Sequence, residues 1–547
     1  MEKLKPKLFS VMKTYTKEQF VKDVVAGIIV AIIALPLSIA LALASGVTPE
    51  KGIYTAIVAG FVISFLGGSR VQIAGPTAAF ATIVAGIVAR NGMDGLVVAT
   101  IMAGILLILM GLFHFGSLIK FIPYTITTGF TAGIAVTIFI GQIKDFLGLT
   151  IVTEEPLVET MDKLKAVGRF IGTVNWWAVL IGVICLAILI VWPYLPGFLS
   201  RIPGSLIAVV VSSALVACLD IKVNTIGDLY TISNKLPAFS LPKADFKMIQ
   251  NLLPDAFTIA ILAGIESLLS CVVADSMVNS KHRSNMELVA QGAGNIASAL
   301  FGGIPATGAI ARTAANIKSG GRTPIAGMVH SVTLLLILVV FMPYAALIPM
   351  PAIAAILFMV AYNMCGWREF VHLCKTSPKS DILVLVLTFF LTVVFDLVVA
   401  IEVGMVLAAI LFMKRMSDVT DVEGWRYVTP EEDESDLMEV PKNTLVYEIS
   451  GPMFFGAADK ILKIGVNEST NCLILRMRSV NAIDATAMRN FEKLFETCKK
   501  KNVTLIFSHV GEQPMSIMHK AGFVELVGDE NFCAHIDAAI ARARELQ

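Results

Sequence analysis

The sequence predicts an all-α polytopic membrane domain of 14 segments, followed by a small cytoplasmic α/β domain. Three observations lead to this fold class. Of the 547 residues, 56% are apolar and only 16% are charged, with a mean hydropathy of +0.77, whereas soluble proteins carry about 25% charged residues. The long apolar runs are confined to residues 23–415. Two of these runs are interrupted by glycine and proline and continue as short helices.

The first 22 residues form a charged N-terminal segment, which we expect to be cytoplasmic. The apolar run from Val24 to Leu43 follows it and ends in Ala42-Leu43-Ala44, which resembles a signal-peptide cleavage site. The run is nevertheless long enough to cross a bilayer, which takes about 20 apolar residues. A long charged stretch also precedes it, so the prediction is a first transmembrane helix and not a signal peptide.

Hydropathy predicts 14 membrane segments, and the third and tenth are too short to span a bilayer. They lie near residues 23–44, 52–66, 76–89, 95–113, 121–143, 174–192, 204–219, 255–276, 287–301, 307–318, 324–342, 349–363, 381–398 and 400–415. The outer loop at 151–169 has the pattern of an amphipathic helix.

The distribution of basic residues predicts the orientation of these segments. Lysines are dense in the N-terminal segment, and basic residues recur in each predicted inner loop: Arg70, Lys120, Arg201, Lys281, Arg283, Arg322, Arg368, Lys375, Lys379, Lys414 and Arg415. Cytoplasmic loops carry such an excess. We therefore expect a multi-pass protein of the inner (plasma) membrane with both termini in the cytoplasm.

The C-terminal part begins with an acidic, polar linker at 416–439 and continues as a soluble domain at 440–547. Strand patterns near 445–449, 472–477 and 503–508 alternate with helical patterns near 456–465, 485–500 and 514–520. Such alternation predicts a small α/β domain with a largely parallel sheet.

The residues that usually hold metals are dispersed. Eight cysteines lie apart without a CxxC pair, several of them in apolar segments, and the seven histidines are equally scattered. Buried free thiols are the better interpretation, so we expect no metal site and no cofactor. The formal net charge is +1, and we expect neither a nucleic-acid partner nor enzymatic activity.

The two interrupted segments are the most informative part of the chain. They contain Gly75-Pro76 and Gly303-Ile304-Pro305-Ala306-Thr307-Gly308, at comparable places in the two halves of the apolar region. Such a pair points to a transporter's binding site. Irregular backbone within a bilayer needs protein or a water-filled cavity around it, so each break either lines a cavity or is a proline kink packed by its neighbours. Two helices that begin in mid-membrane would present free N–H groups and positive dipole ends to an anion.

Two ionisable residues accompany the breaks. Arg312 lies one turn into the second short helix, where it either adds positive charge to an anion pocket, forms a structural ion pair or extends to the inner interface. Glu266 lies in the middle of an apolar segment, and an unpaired carboxyl group at that depth favours the protonated acid, which suits proton binding. Ser270 is one turn further along the same face. The rival interpretation is a static Glu266–Arg312 pair.

At these residues the chain resembles the sulfate permease (SulP) family, solute carrier family 26. The resemblance covers almost the whole chain and is carried by four motifs, Ile265–Ser270, Ala274–Met277, Gly292–Asn295 and Gly302–Thr313. The soluble domain resembles a STAS domain. Its residues Val480–Thr486 match the loop that carries a phosphorylatable hydroxyl in anti-sigma-factor antagonists, here Thr486.

The resemblance implies a seven-plus-seven inverted repeat and a homodimer. Segments 1–4 and 8–11 would form a core domain that moves like an elevator against a gate domain of segments 5–7 and 12–14. It also implies the residues that line the anion pocket: Leu37, Leu41, Thr77, Ala78, Glu266, Gly308, Ala309, Ile310 and Arg312. Glu266 and Ser270 would be the coupling residues.

Departures from the family pattern bear on the coupling ion. Sodium-coupled bicarbonate members have Asp where this chain has Glu266, and Thr where it has Ser270 and Ile310. The pattern looks closer to bacterial, DauA-like members that move C4-dicarboxylates or sulfate with protons. We therefore expect a secondary-active transporter of sulfate, bicarbonate or a C4-dicarboxylate, coupled to protons through Glu266.

Three alternatives remain open at this point. The first is a sodium-coupled bicarbonate transporter, the second a nucleobase symporter of the same fold, and the third a membrane receptor or scaffold that signals through its STAS domain. The expected partners are a small anion, protons, the lipid bilayer, a second copy of the chain and a cytosolic protein that binds the STAS domain.

Overall fold

The computed structural model describes residues 4–117, 123–152, 159–195, 203–230, 233–242, 245–395, 397–424, 440–466 and 469–547. Two compact units divide the chain at Met405 and Val406. Some residues used in the sequence predictions, including Lys120, Arg201, part of the outer helix at 153–158 and most of the linker at 425–439, lie outside the described residues.

The first half of the membrane unit begins with a short helix α1 (Leu8–Val11) and contains the first seven predicted segments as helices. The further helices of this half are α2 (Lys17–Ala44), α3 (Pro49–Leu66), α4 (Ala81–Leu112), α5 (Tyr124–Leu147), α6 (Thr160–Phe170), α7 (Trp176–Val191) and α8 (Gly204–Cys218), with strand β1 (Ala74–Gly75) before α4. Helix α4 contains two predicted segments, which join at Gly92 with a φ of 67°. Helix α6 is the predicted amphipathic helix of the outer loop.

In the second half, as in the first, a broken segment lies between long helices. It contains α9 (Ile226–Leu229), α10 (Phe246–Val278), α11 (Ser284–Leu300), strand β2 (Thr307–Gly308), α12 (Ile310–Lys318), α13 (Pro324–Phe341), α14 (Met350–Cys365), α15 (Trp367–Thr376), α16 (Lys379–Val394) and α17 (Leu397–Val419). Helix α15 is amphipathic and was not predicted from hydropathy. Among the described residues, eight helices are long and apolar enough to cross a bilayer.

Small residues let the membrane helices approach closely. At the crossing of α4 and α11, a Cβ added to Gly104 would lie 2.7 Å from the Gly292 carbonyl oxygen, and one added to Gly292 would lie 2.4 Å from the Gly104 carbonyl oxygen. In lipid, where apolar side chains gain little from leaving the solvent, such close packing is a main source of helix association.

The membrane helices form two main packing groups. Helices α2, α3, α4, α10, α11, α12 and α13 pack chiefly with one another, while α5, α7, α8, α14 and α16 form the second group. The first group corresponds to the predicted segments 1–4 and 8–11. The second group corresponds to the predicted segments 5–7, 12 and 13. Both breaks belong to the first group, so the candidate site lies on that group.

The C-terminal unit contains a five-stranded sheet in the order β3-β4-β5-β6-β7. Its strands are β3 (Asp421–Gly424), β4 (Thr444–Ser450), β5 (Cys472–Ser479), β6 (Thr504–Ser508) and β7 (Phe532–Cys533). All neighbouring pairs are parallel except β3 and β4, which confirms a largely parallel sheet. The helices are α18 (Ala485–Lys500), α19 (Glu512–Lys520), α20 (Phe523–Val527) and α21 (Ile536–Glu545).

Sequence patterns located most elements of this unit but not all. The segment 456–465 contains a 3-10 helix, Ala458–Lys463, instead of an α-helix, and β3, β7, α20 and α21 were not predicted. Strand β3 and the end of α17 occupy the first part of the segment assigned to the linker. Thr486 is exposed in the first turn of α18, next to the N-cap residue Asp484, whose carboxylate accepts a hydrogen bond from the Ala487 amide at 2.9 Å.

Candidate functional site

The two sequence breaks meet in space as a pair of two-residue strands. Strand β1 pairs antiparallel with β2, with Ala74 opposite Gly308 and Gly75 opposite Thr307. The Ala309 amide extends the ladder by donating to the Ile73 carbonyl at 2.9 Å. Each short helical segment begins just after its strand, at Ala78 on one side and at Ile310 on the other. The paired strands therefore bring two helix N-termini to one place within the membrane unit.

Neither of these helix ends is capped by its own N-cap side chain. Thr77 precedes the 3-10 turn Ala78–Phe80 that leads into α4, and Ala309 precedes α12; both adopt extended backbone and neither makes a side-chain capping bond. The first N–H groups of a helix lack partners within the helix and carry the positive end of its dipole. The two ends can therefore accept an anion from outside the helices.

Arg312 lies behind the strand pair. Its side chain is only 3% exposed, so it does not extend to the inner interface. Its Nη2 donates to the Ser38 hydroxyl at 3.3 Å, and its Nη1 is buried with no hydrogen-bond partner among the described residues. A Cβ added to Gly75 would lie 2.5 Å from this Nη1. The guanidinium group therefore touches the backbone of the first break although it belongs to the helix after the second.

Glu266 does not pair with Arg312. Within the described part of the chain no ion pair joins the two, so the static pair is not the role of Glu266 in this structure. The Thr77 hydroxyl instead donates to Glu266 Oε2 at 3.0 Å. The half-buried carboxyl group of α10 is thus tied to the N-cap residue of the first short helix, close to the expected anion.

The serine of α10 that reaches the strand pair is Ser267, which was not among the predicted site residues. Its Oγ lies 2.7 Å from the Thr307 hydroxyl and accepts the Gly308 amide at 3.1 Å. Ser270, the predicted coupling residue, is buried one turn away, and its hydroxyl donates to Thr313 Oγ1 at 3.4 Å. Ser270 therefore contacts the site through Thr313, whose hydroxyl in turn accepts the Ile73 amide at 3.0 Å.

Polar side chains satisfy the irregular backbone around the second break. Asn295 accepts the Ala306 amide at 2.8 Å and donates to its carbonyl at 2.9 Å. Thr55 accepts the Ile304 amide at 2.8 Å. These bonds meet the requirement that backbone groups in a membrane be paired. Asn295 ends one of the motifs that carry the family resemblance, and the motif was the only signal that could have selected it.

The remaining predicted pocket residues are mostly small or apolar. Leu41 and Ala78 are buried, Leu37 and Ala309 are half-buried, and Ile310 is 45% exposed at the start of α12. Gly308 leaves no room for a side chain, because an added Cβ would lie 2.1 Å from the Gln72 Nε2. The polar contacts available to a ligand in this set therefore come from backbone N–H groups, Thr77 and Arg312.

A helical membrane unit with two broken segments, whose uncapped ends meet beside a buried arginine, has the architecture of a secondary transporter. The sulfate permease family model matches residues 20–388, and the STAS domain model matches residues 437–539. The chain belongs to the sulfate permease family, and its C-terminal unit is a STAS domain. It is an anion transporter of this family and not an enzyme.

Two relatives illustrate the breadth of the family. The chain is 41% identical over 533 residues to the "Putative sulfate transporter YvdB" of Bacillus subtilis, covering 96% of this chain and 98% of the relative. It is 31% identical over 467 residues to the bicarbonate transporter BicA of Picosynechococcus, covering 81% of this chain and 80% of that protein.

Solved structures show the same fold. The overall structure of SLC26A9 covers 98% of this chain with a TM-score of 0.87 at 18% identity, with 92% of that chain matched. The transmembrane domain of a cyanobacterial BicA covers 72% of this chain with a TM-score of 0.62 at 28% identity, with 98% of that chain matched. The first likeness, at so low an identity, concerns the fold alone.

Proposed function

We propose that this protein is a secondary-active transporter of a small anion, namely sulfate, bicarbonate or a C4-dicarboxylate, which it binds between the two short helices. The observation that carries the proposal is the strand pair β1–β2, which brings two uncapped helix N-termini together beside the buried Arg312. Each helix end contributes about half a positive charge. Together with the guanidinium group they favour a ligand with one or two negative charges.

Coupling to protons is proposed to involve Glu266. The Thr77 hydroxyl that donates to Glu266 belongs to the N-cap residue of the first short helix. An ionised carboxylate at this position would repel an arriving anion, whereas the protonated acid would not. Binding of the anion would therefore favour uptake of a proton, and the two would be carried together.

Sodium coupling is the second candidate, because the chain resembles a family that includes sodium-coupled bicarbonate members; two relatives at 31% identity are named as bicarbonate transporters. Sodium ions prefer several oxygen ligands, and the exposed Ile310 side chain offers none. Proton coupling is therefore the favoured form of the proposal, with sodium as the alternative outcome of the same experiment.

Several further features belong to the same proposal. The two packing groups of helices support an elevator-like movement of the first group, which carries both breaks, against the second. We also propose that the protein is a homodimer in the plasma membrane with both termini cytoplasmic, that residues 440–547 together with strand β3 form the STAS domain, and that this domain binds a cytosolic protein.

The test is an uptake panel with the full-length protein in proteoliposomes. Labelled sulfate, succinate and bicarbonate are offered with an inward proton gradient, an inward sodium gradient or neither. We expect a proton gradient to accelerate the uptake of at least one anion. The absence of acceleration for all three would refute proton coupling, and acceleration by sodium alone would establish the alternative.

Two controls separate the remaining possibilities. Uracil and other nucleobases are added as competitors, and inhibition of anion uptake by them would favour a nucleobase site. A variant lacking residues 440–547 is expected to keep anion binding, with a changed transport rate at most. Loss of every activity in this variant, with binding absent, would favour a signalling role for the STAS domain.

A further inference from the structure

A second polar cavity lies at the opposite end of α12 from the paired strands. Its volume is about 280 Å³, and the polar side chains around it are those of Thr14, Tyr15, Thr16, Gln19, Arg70, Arg322 and Thr323. Two arginines therefore line the cavity, and within the described residues no carboxylate does. The N-terminal segment, the end of α10, the loop after α3 and the loop after α12 all contribute to its wall.

Arg70 carries the first indication of a ligand. Its Nε is shielded from solvent and has no hydrogen-bond partner in the described part of the chain. A shielded donor without an acceptor is destabilising. The other N–H groups of the Arg70 guanidinium make no hydrogen bond with the residues described, and they suit an oxyanion in the cavity because such groups match pairs of oxygen atoms.

Arg322 supplies the second guanidinium group. Its Nη1 donates to the carbonyl oxygens of Ile317 at 2.7 Å and Gly321 at 2.8 Å, which holds the group at the C-terminal end of α12. Its Nε and Nη2 make no hydrogen bond with the residues described. The positive charge is thus fixed in position while donors remain for a ligand.

The carboxylate of Asp23, which accepts hydrogen bonds from residues that line the cavity, offsets only one of the two positive charges. Asp23 is fully buried, and its oxygens accept bonds from Tyr15 at 3.0 Å, Gln19 at 2.9 Å and the Arg322 amide at 2.8 Å, besides two bonds from Thr323. Two guanidinium groups against one saturated carboxylate leave a net positive charge. Thr16 adds a donor, because its oxygen accepts the Gln19 amide at 3.2 Å while its proton remains free.

We infer that this cavity is a second anion site, separate from the one between the helix ends, which binds an oxyanion such as sulfate or phosphate. The phosphate of an anionic lipid head group has the same chemistry. A bound oxyanion joins Arg70, Arg322 and Thr16, so it links the N-terminal segment to the end of the helix whose first turn carries Arg312. Binding therefore stabilises the folded membrane unit.

The test measures binding of labelled sulfate and phosphate to the purified full-length protein at constant ionic strength. It uses an Arg312→Ala background, which removes the proposed transport site. We expect this variant to retain one oxyanion site. Adding Arg70→Gln is expected to weaken binding at least about tenfold, the effect of losing one charge-assisted hydrogen bond. The matched control is Arg368→Gln on the exposed face of α15, which should change the affinity less than twofold.

A second variant guards against a folding defect. Thr16→Ala removes the hydroxyl and a methyl group at the N-cap of α2, and it should weaken binding severalfold while the protein without ligand melts within a few degrees of the Arg312→Ala protein. The ligand-induced rise in melting temperature should shrink in parallel. Unchanged affinity in both Arg70→Gln and Thr16→Ala, or absence of any oxyanion binding by Arg312→Ala, would overturn the proposal.

The source of the oxyanion is decided by repeating the measurement in nanodiscs of neutral or anionic lipid. If sulfate binds more weakly in the anionic than in the neutral membrane, and Arg70→Gln removes this difference, the lipid phosphate is the occupant. If the affinities in the two membranes are equal, the occupant is a free oxyanion. Both results support the site. If wild type and Arg312→Ala bind the same number of sulfate ions, the proposed transport site fails while the second site stands.

Discussion

The Gly75→Ala substitution tests whether the position of Arg312 decides anion affinity. The added Cβ would lie 2.5 Å from the Arg312 Nη1, whereas ordinary contacts begin at 3.4 Å. The guanidinium group must therefore move by about 0.9 Å. It is 3% exposed and hydrogen-bonded to Ser38, so the surroundings resist this movement. Overpacking of this kind costs about 1–3 kcal/mol.

Loss of the contact between the anion and the aligned guanidinium group is expected to weaken the binding free energy of the anion by about 1.5–3 kcal/mol. This corresponds to an affinity about 10-fold to 150-fold weaker. The assay is equilibrium binding of the anion identified by the uptake panel, together with its KM in proteoliposomes. The matched control is Gly86→Ala in the helix that follows the first break, where nothing lies within 4 Å of an added Cβ. An affinity of Gly75→Ala within twofold of Gly86→Ala would refute the reasoning.

Four further predictions follow from single contacts. Glu266→Gln should abolish the acceleration of uptake by a proton gradient while anion binding persists, because the amide cannot take up the proton. Ser267→Ala should leave the Gly308 amide without its acceptor, lowering stability by about 1–3 kcal/mol and weakening anion binding measured by titration. Burial and the charge of Asp23 raise the pKa of Tyr15 to about 12, so the stability that Tyr15 contributes is intact below pH 10 and lost as the pH rises towards 12; melting temperatures across this range should fall less in Tyr15→Phe. Phe491→Ala should lower the free energy of unfolding of the STAS domain by about 3–5 kcal/mol. The measurement is the rate at which the buried Cys498 is alkylated in the full-length protein, which should rise.

Three of these predictions have a control variant in the same helix or domain, and Tyr15→Phe is compared with the wild type. The control for Glu266→Gln is Asp275→Asn, which changes another carboxylate of α10 and should keep the acceleration by a proton gradient. The control for Ser267→Ala is Ser276→Ala, which removes an exposed hydroxyl that bonds only to Val273 of its own helix. Phe455 is 58% exposed, so Phe455→Ala should leave the alkylation of Cys498 nearly unchanged. A variant that behaves like its control would contradict the corresponding contact; for Tyr15→Phe, the contradicting result is a pH dependence equal to that of the wild type.

Local properties of the sequence were enough for most of the architecture. The length of an apolar run and the spacing of glycine and proline depend on neighbouring residues only, so the 14 segments and the two breaks could be located without a fold. The same holds for the alternating strands and helices of the STAS domain. Elements with weak local signals were missed, among them the amphipathic helix α15, the two-residue strand β7, the edge strand β3 and the helices α20 and α21.

The choice of site residues shows where local reasoning ends. Ser267 and Ser270 lie on the same face of α10, about 4.5 Å apart along its axis, and their sequence contexts do not distinguish them. The depth at which α10 packs against β2 decides that Ser267 accepts the Gly308 amide while Ser270 contacts Thr313. The partner of Glu266 was decided in the same way, since the packing of α10 brings it to Thr77 and not to Arg312.

The sequence alone determined that this protein is a multi-span membrane protein with two interrupted helices, an arginine and a carboxyl group near them and a soluble α/β domain, because hydropathy, chain breaks and charge are properties of short segments. Only the tertiary structure decided that Ala74 lies opposite Gly308, that two uncapped helix ends meet there and that Arg312 packs against Gly75. These contacts join residues far apart in the chain, and their geometry depends on how whole helices pack, which no local pattern records.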